Sequence, residues 1–415
     1  MIRSLTIGLP LGSQSQSTIE SSVKHLIATS KRILDEANQS SRTIRFTLPA
    51  IGTDGEIEGS MLSTLRWVDK LANENDVRWF CMPLDFLQEG VRRERIGNSL
   101  DLISRFPKLF MNFIVADTER MSIPAINDVA KLVGRIAKKS NNGFDNFRVG
   151  ASCGCPANAP FFPFSRHEGD RMAFSFALES TLSIALQVSE ELGLHAPIDS
   201  FRNMLLAKLV IELGNLQKLG EQIEQETGCQ FKGLDASFAP FPGQLSVALL
   251  IERLLGAPVG SHGSLFITGM LTDTIRTAFI QSEATPVGFN GVMYSLLEDD
   301  NLASANSRRC LSLDGLIAMS AMCGCGVDMV PVPGNSFPEE LAAVMLDIAT
   351  MTLALKKPLG IRLLPIPGKL SNEFTQFNLD FLCDSRVMSL TANDKTIISS
   401  KHSFELLSPS RFNKI

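Results

Sequence analysis

Dense blocks of lysine and arginine are missing from this chain of 415 residues; Lys138-Lys139 is the nearest approach to one, and the formal net charge is -5. A surface without a basic patch offers no electrostatic footprint for nucleic acid or anionic lipid, so neither is expected as a partner. Long apolar runs are missing too. The run 245–255 carries Glu252 and Arg253 and falls short of the roughly 18 residues that cross a bilayer. The first 16 residues hold one basic residue and a very short apolar run, which predicts a first strand rather than a signal peptide. Cysteine is sparse, eight in all, and its spacing is not that of a secreted disulfide framework, so reduced thiols in a cytoplasm are expected. No G-x-G-x-x-G follows a candidate strand, Gly368-Lys369 lacks the upstream glycine of a P-loop, and no H-E-x-x-H occurs. Dinucleotide, P-loop and zincin chemistry are thereby set aside.

What is present is an ordinary globular composition, 44% hydrophobic and 20% charged, large enough for one big barrel or two domains. Apolar runs predict strands over 4–9, 43–49, 77–84, 111–117 and 147–152, separated by helical patterns that include 61–72 and 126–138. Ser17-Thr-Ile-Glu20 offers a capping box for the first helix. The run 110–116, apolar but for Asn112, is what a parallel strand covered on both faces requires. Two long helical patterns, 170–192 and 198–227, then separate this half from a second. Alternation resumes with strands over 231–239, 288–296, 327–332, 360–366 and 387–390 and helices over 246–255, 265–280 and 337–355. The chain therefore divides into a first half (1–155), a helical insertion (156–230), a second half (231–390) and a tail (391–415), all within one α/β domain. Two sets of five strands suit a ten-stranded α/β barrel of two five-stranded halves; a doubly wound open sheet is the alternative.

Ligand sites in parallel α/β sheets gather at the C-terminal ends of strands, which singles out Asp117, Ser152, Cys153, Asp235, Glu298, Asp299, Pro333 and Pro367. Asp328 and Arg362 fall inside strands, where a buried charge needs a partner, and could pair with each other. Two Cys-Gly-Cys turns, Cys153-Gly154-Cys155 and Cys323-Gly324-Cys325, are the chain's most distinctive local chemistry. Four thiolates from the two turns would hold zinc, copper(I) or an iron-sulfur cluster if the turns met. Buried structural thiols and thiol catalysis are the other readings. Catalysis would need a base, and of five histidines His25 and His402 read as surface residues and His195 as a helix-end residue, leaving His262 in a Gly turn and His167 after the aromatic loop 156–164. Asp235, alone in an apolar run, is the strongest candidate acid.

Several stretches together resemble the domain of unknown function 711 family, also called uncharacterised protein family 0210. They are Gly233-Leu-Asp-Ala-Ser-Phe-Ala-Pro240, Gly260-Ser-His-Gly263, Glu298-Asp299, the stretch 319–334, Ile361-Arg-Leu-Leu-Pro-Ile-Pro-Gly-Lys369, and Pro160-Phe-Phe-Pro163 followed by His167. The resemblance implies a fold similar to pyruvate formate-lyase and other glycyl radical enzymes. It does not imply the radical, since Arg148-Val-Gly-Ala151 is mid-chain and lacks the aromatic of the glycyl loop. The family pattern has a cysteine at Cys323; Cys325, Cys153, Cys155 and Gly154 depart from it.

The expected function is a non-radical enzyme, of lyase or hydrolase type, acting on a small polar or anionic metabolite with no required cofactor. Cys323 would be nucleophile or redox thiol, aided by Cys153, with His262 as base and Asp235 and Glu298 orienting or protonating. Arg362, His167, Asp299, Asp328 and Ser261 would bind substrate. A metal or cluster protein holding zinc or iron-sulfur on Cys153, Cys155, Cys323 and Cys325, and a non-catalytic ligand-binding barrel, are the alternatives, with homo-oligomerisation left open.

Overall fold

The computed structural model describes residues 1–50, 57–87, 94–194, 196–390, 398 and 403–405. His195, His402 and most of the 391–415 tail lie outside them. The strands among the described residues are β1 (Ile2–Gly8), β2 (Ser41–Thr47), β3 (Trp79–Asp85), β4 (Leu109–Ala116), β5 (Arg120–Met121), β6 (Val149–Cys153), β7 (Ala173–Leu178), β8 (Gln230–Asp235), β9 (Gly326–Pro333), β10 (Leu359–Ile366) and β11 (Phe404–Glu405); eight of them lie where apolar runs predict them, with shifted ends, and β5, β7 and β11 do not. The helices among the described residues are α1 (Gln16–Glu36), α2 (Ile57–Glu74), α3 (Glu94–Arg105), α4 (Ile123–Lys139), α5 (Ser180–Leu192), α6 (Ile198–Thr227), α7 (Val247–Leu255), α8 (Ser264–Ser282), α9 (Asp300–Ser307), α10 (Leu313–Met319) and α11 (Pro338–Leu355). None is long and apolar enough to cross a membrane. The cap of α1 is Ser15, whose hydroxyl accepts from Thr18 N, and not the Ser17 box.

One large, mostly parallel sheet runs β8-β7-β1-β2-β3-β4-β6-β10-β9, flanked by helices. Strands β1, β2, β3, β4 and β6 point one way; β7, β8, β9 and β10 point the other, with antiparallel seams along this path at β7/β1 and β6/β10, while the short β5 pairs antiparallel with β4 and β11 off it. Strand β7 lies in the stretch read as a purely helical insertion. Its sequence, Ala-Phe-Ser-Phe-Ala-Leu, runs into α5 with no Gly or Pro between them, and a short apolar run carries no period that separates strand from helix. The expected strand over 288–296 forms no ladder of its own. Its stretch makes isolated parallel bridges, Leu234 with Pro286 and Phe238 with Val292 on one side and Ser295 with Asp328 on the other. The expected strand at 387–390 is reduced to one bond to β9, Met388 N to Pro331 O at 2.9 Å.

The Pro/Phe loop sits inside the curve of this sheet. Asn158 N donates to Arg166 O at 2.7 Å, so the loop folds back on itself and is only a few residues wide. Yet it meets seven consecutive strands: Ser175 of β7, Thr6 of β1, Thr47 of β2, Cys81 of β3, Asn112 of β4, Gly150 of β6 and Gly360 of β10. Laid flat, seven strands would span roughly 29 Å at the usual spacing; the sheet therefore curls around the loop. Glycine is required where Phe164 is wedged between β6 and β10, because a Cβ at Gly150 or Gly360 would stand 2.5 Å from its ring. Gly360→Ala is expected to cost about 1–3 kcal/mol by overpacking, read as a lower denaturation midpoint at unchanged slope; an unchanged midpoint would mean the Phe loop withdraws freely.

Candidate functional site

The curl leaves a small cavity, ≈ 60 Å³, between the Phe loop and the strands. Its wall is drawn from both halves of the chain: Arg3, Arg45, Trp79 and Phe110 from the first, Ser295, Glu298, Cys325, Asp328 and Arg362 from the second. The site was expected at the C-terminal ends of the strands, but in the first half it opens at their starts, since Arg3, Trp79 and Phe110 are the second, first and second residues of β1, β3 and β4. The loop explains this. It occupies the other end, with His167 N bonded to Leu48 O at 2.8 Å and Ser165 Oγ donating to Thr47 Oγ1 at 2.9 Å.

Three guanidiniums face the cavity, and their partners differ. Arg362 is buried and forked onto Asp328, Nε to Oδ1 at 2.6 Å and Nη2 to Oδ2 at 2.8 Å, with Glu298 further off at 3.5 Å. Burial alone would lower its pKa; Asp328 and Glu298 reverse that and raise it. The expected Asp328–Arg362 pair is thus present, and it bridges the paired strands β9 and β10. Arg3 donates to Pro240 O at 2.8 Å and lies 3.7 Å from Glu179, which is itself forked by Arg42 at 2.8 and 2.9 Å. Arg45 is half-buried and has no carboxylate partner among the described residues; its Nε donates to Thr43 Oγ1 at 3.2 Å and its head stands over the Phe162 ring at 5.3 Å. Burial first, and then the nearby Arg3, push it down to about 9, which leaves it cationic at neutral pH. Glu298, half-buried, accepts from Ser295 Oγ at 2.6 Å.

The thiol on the cavity wall is Cys325; Cys323 stands behind it in the main core. The two thiols are neighbours whose titrations shift in opposite directions, Cys323 down and Cys325 up. The neighbouring Cys325 thiol first, then the nearby Lys357 and Gly326 N, which donates at 3.4 Å, outweigh burial and bring Cys323 down to about 6. Lys357 is held there by the carbonyls of Ser320, Ala321 and Cys323. Cys325 is pushed well up, first by the neighbouring Cys323 and then by burial.

The remaining sequence candidates lie apart from this cavity. Cys153 is buried, its thiol pushed up by burial, and Cys155 accepts from Asn112 Nδ2 at 3.3 Å. The two Cys-Gly-Cys turns flank the start of β10, Leu359 pairing with Cys153 and Gly360 with Gly326, so a strand separates them and the four thiols do not assemble. Among the described residues no three His, Cys, Asp or Glu side chains gather as a metal site. His262 and Ser261 occupy a surface turn before α8, His262 exposed. His167 is buried against β1, its Nδ1 3.1 Å from Asn158 Oδ1, and burial, then Lys232, bring it down to about 4. Asp235 is buried and accepts from Ser237 N and Oγ, Phe289 N and Asn290 N, tying β8 to the 286–295 stretch. Asp299 is buried and caps two helices at once, accepting from Ser246 Oγ, Val247 N and Ala248 N at α7 and from Asn301 N and Leu302 N at α9. Both carboxylates are pushed up by burial. His25 is exposed on α1.

Arg3 and Arg45 were missed, though the signal was present. A parallel strand reads as a continuous apolar run, and Ile2-Arg3-Ser4-Leu5 and Ile44-Arg45-Phe46 each break it with a charge, the same logic that found Asp328 and Arg362.

The fold and cavity define an α/β protein with a large, mostly parallel sheet flanked by helices and a small arginine-lined cavity beside it. The chain belongs to the DUF711 family: the model described as "Uncharacterised ACR (DUF711)" matches residues 1–381. It is 25% identical over 377 residues to a UPF0210 protein of Pyrobaculum islandicum, covering 88% of this chain and 82% of that one. A UPF0210 protein of Methanosarcina mazei is also 25% identical, over 414 residues, 91% and 87% of the two chains. A UPF0210 protein of Pyrobaculum arsenaticum is 35% identical over 167 residues, a stretch covering 40% of this chain and only 37% of the relative.

Proposed function

We propose that the sheet closes into a ten-stranded barrel, that its interior holds the acid group of an anionic metabolite, and that the Cys323–Cys325 pair acts on that metabolite in a lyase or hydrolase type reaction. Closure is supported by the stretch 286–295, which bridges to β8 and its continuation on one side and to β9 on the other, supplying a fifth member to the second set of strands. The pyruvate formate-lyase-like fold that the family resemblance implies would be such a barrel. The observation that carries the functional reading is Arg45, a guanidinium without a carboxylate partner among the described residues, facing the cavity that Cys325 also lines. Glu298 and Glu179 act on this half-buried cation only from a distance, so an anion in direct contact would complete it.

Chemically, Cys325 would pass its proton to the Cys323 thiolate and attack an electrophilic substrate carbon with the sulfur pair thus freed. The carbonyl π pair moves onto oxygen, beside the guanidiniums. Cys323 is then the base and Cys325 the nucleophile, and His262, exposed in its turn, takes no part. The pH dependence follows. Above about 6 the pair carries its charge and Cys325 can be deprotonated by its neighbour; below it both are thiols. Alkylation of Cys325 by iodoacetamide, located by mass spectrometry, is expected to rise through about pH 6 and level off before neutrality. In Cys323→Ala the rise should move to the ordinary thiol range near 9 or above. A wild-type rise already in that ordinary range would overturn the proposed base.

A further inference from the structure

The cavity is too small for a whole metabolite. At ≈ 60 Å³ it has room for a few waters or a carboxylate but not for the molecule that bears it. A second, far larger cleft of ≈ 990 Å³ lies beside it, along the starts of β1 to β4 and between α1 and the 379–381 loop. That volume is of the size that whole small-molecule ligands occupy.

The two spaces share a wall. Trp79 forms part of the wall of both. Thr43 lines the cleft and accepts the hydrogen bond of Arg45, which lines the cavity. These two residues are two apart on β2, so their Cα atoms are separated by about 7 Å along the strand. A ligand resting on Thr43 thus lies within one strand repeat of the unpaired guanidinium.

The lining of the cleft says what kind of body it takes. Ile44, Trp79, Phe144, Leu379 and Phe381 supply apolar and aromatic surface, Phe144 and Phe381 meeting edge-on at 6.1 Å. Arg78 lies over the Trp79 ring at 4.7 Å. Ser30, buried and also lining the cleft, holds a hydroxyl with no hydrogen-bond partner. Buried polar atoms are seldom left so, and this one lies just beneath the cleft wall, where a ligand group could complete it.

We infer that the substrate is an acid with a bulky apolar or aromatic body: the acid group sits in the cavity at Arg45, and the body lies in the cleft over Thr43 and against Trp79, with a polar group within reach of Ser30. This deepens the proposed function and rests on its anion site.

The test is calorimetric titration of the full chain with acetate, phenylacetate and indole-3-acetate. The aromatic acids are expected to bind at least tenfold more tightly than acetate and to compete with it. Phe381→Ser, or Leu379→Ser if the first does not fold, should abolish that gain and leave acetate unchanged. Arg45→Gln should weaken all three acids alike. Equal affinities for all three acids, or aromatic acids binding without displacing acetate, would overturn this inference and leave the anion site standing. If no acid binds the wild-type chain, the anion site itself fails.

Discussion

Asp299→Ala is expected to destabilise the fold by roughly 3–5 kcal/mol. One buried carboxylate accepts five hydrogen bonds, from Ser246 Oγ, Val247 N and Ala248 N at α7 and from Asn301 N and Leu302 N at α9. Losing a single helix cap costs about 1 kcal/mol. Here two caps go together at a fully buried position, and each donor left bare adds about 1–3 kcal/mol unless water reaches it. Asp299→Asn, which keeps one acceptor oxygen, should lose markedly less. Equilibrium unfolding in urea reads both; a loss below about 1 kcal/mol for the alanine variant would mean the two helix starts find other partners.

The second large effect belongs to the Arg362–Asp328 fork. Asp328→Leu leaves a buried guanidinium with Glu298 at 3.5 Å as its remaining carboxylate neighbour, and breaking such a pair from one side costs about 3–5 kcal/mol. The double variant Asp328→Leu/Arg362→Met removes both charges and should recover most of that loss, because two matched apolar side chains are often as stable as a buried pair. A double variant as unstable as the single one would show that Arg362 matters for other contacts, such as its 3.2 Å bond to Phe147 O.

Much of the fold was legible in the sequence, and the misses have physical causes. Helix α6 was readable to the residue: Pro197 precedes it, and Gly228 ends it in the left-handed conformation at φ 70°. Strand β7 was not, because six residues feeding straight into a helix carry no punctuation. The 286–295 stretch was read as a strand, yet the bridges on its two sides are made to partners far off in the chain.

The site was legible in part. Buried charge inside a strand identified Asp328 and Arg362 and, applied to β1 and β2, would have identified Arg3 and Arg45. Asp235 was marked as a buried acid in need of a partner or a role, whereas Asp299 was read as a substrate-binding residue and its place at two helix starts was not foreseen. Many of their partners are backbone N–H groups around 50 residues away, and no side-chain pattern announces them. The Cys-Gly-Cys turns drew attention for their symmetry, but what distinguishes them is the surroundings. One sits between apolar neighbours and Asn112, and the other lies beside Lys357 with one thiol facing the cavity.

The most direct measurement compares iodoacetate with iodoacetamide as alkylating agents of Cys325, located by mass spectrometry, in the wild-type chain and in Arg45→Gln. Each reagent forms the same sulfur–carbon bond and releases iodide, so they differ chiefly in charge. If Arg45 holds an acid group beside the Cys325 thiol, the anionic reagent reacts faster than the neutral one in the wild type, and the preference disappears in Arg45→Gln. A neutral reagent that reacts as fast or faster in both proteins would contradict an anion site at Arg45 that serves Cys325.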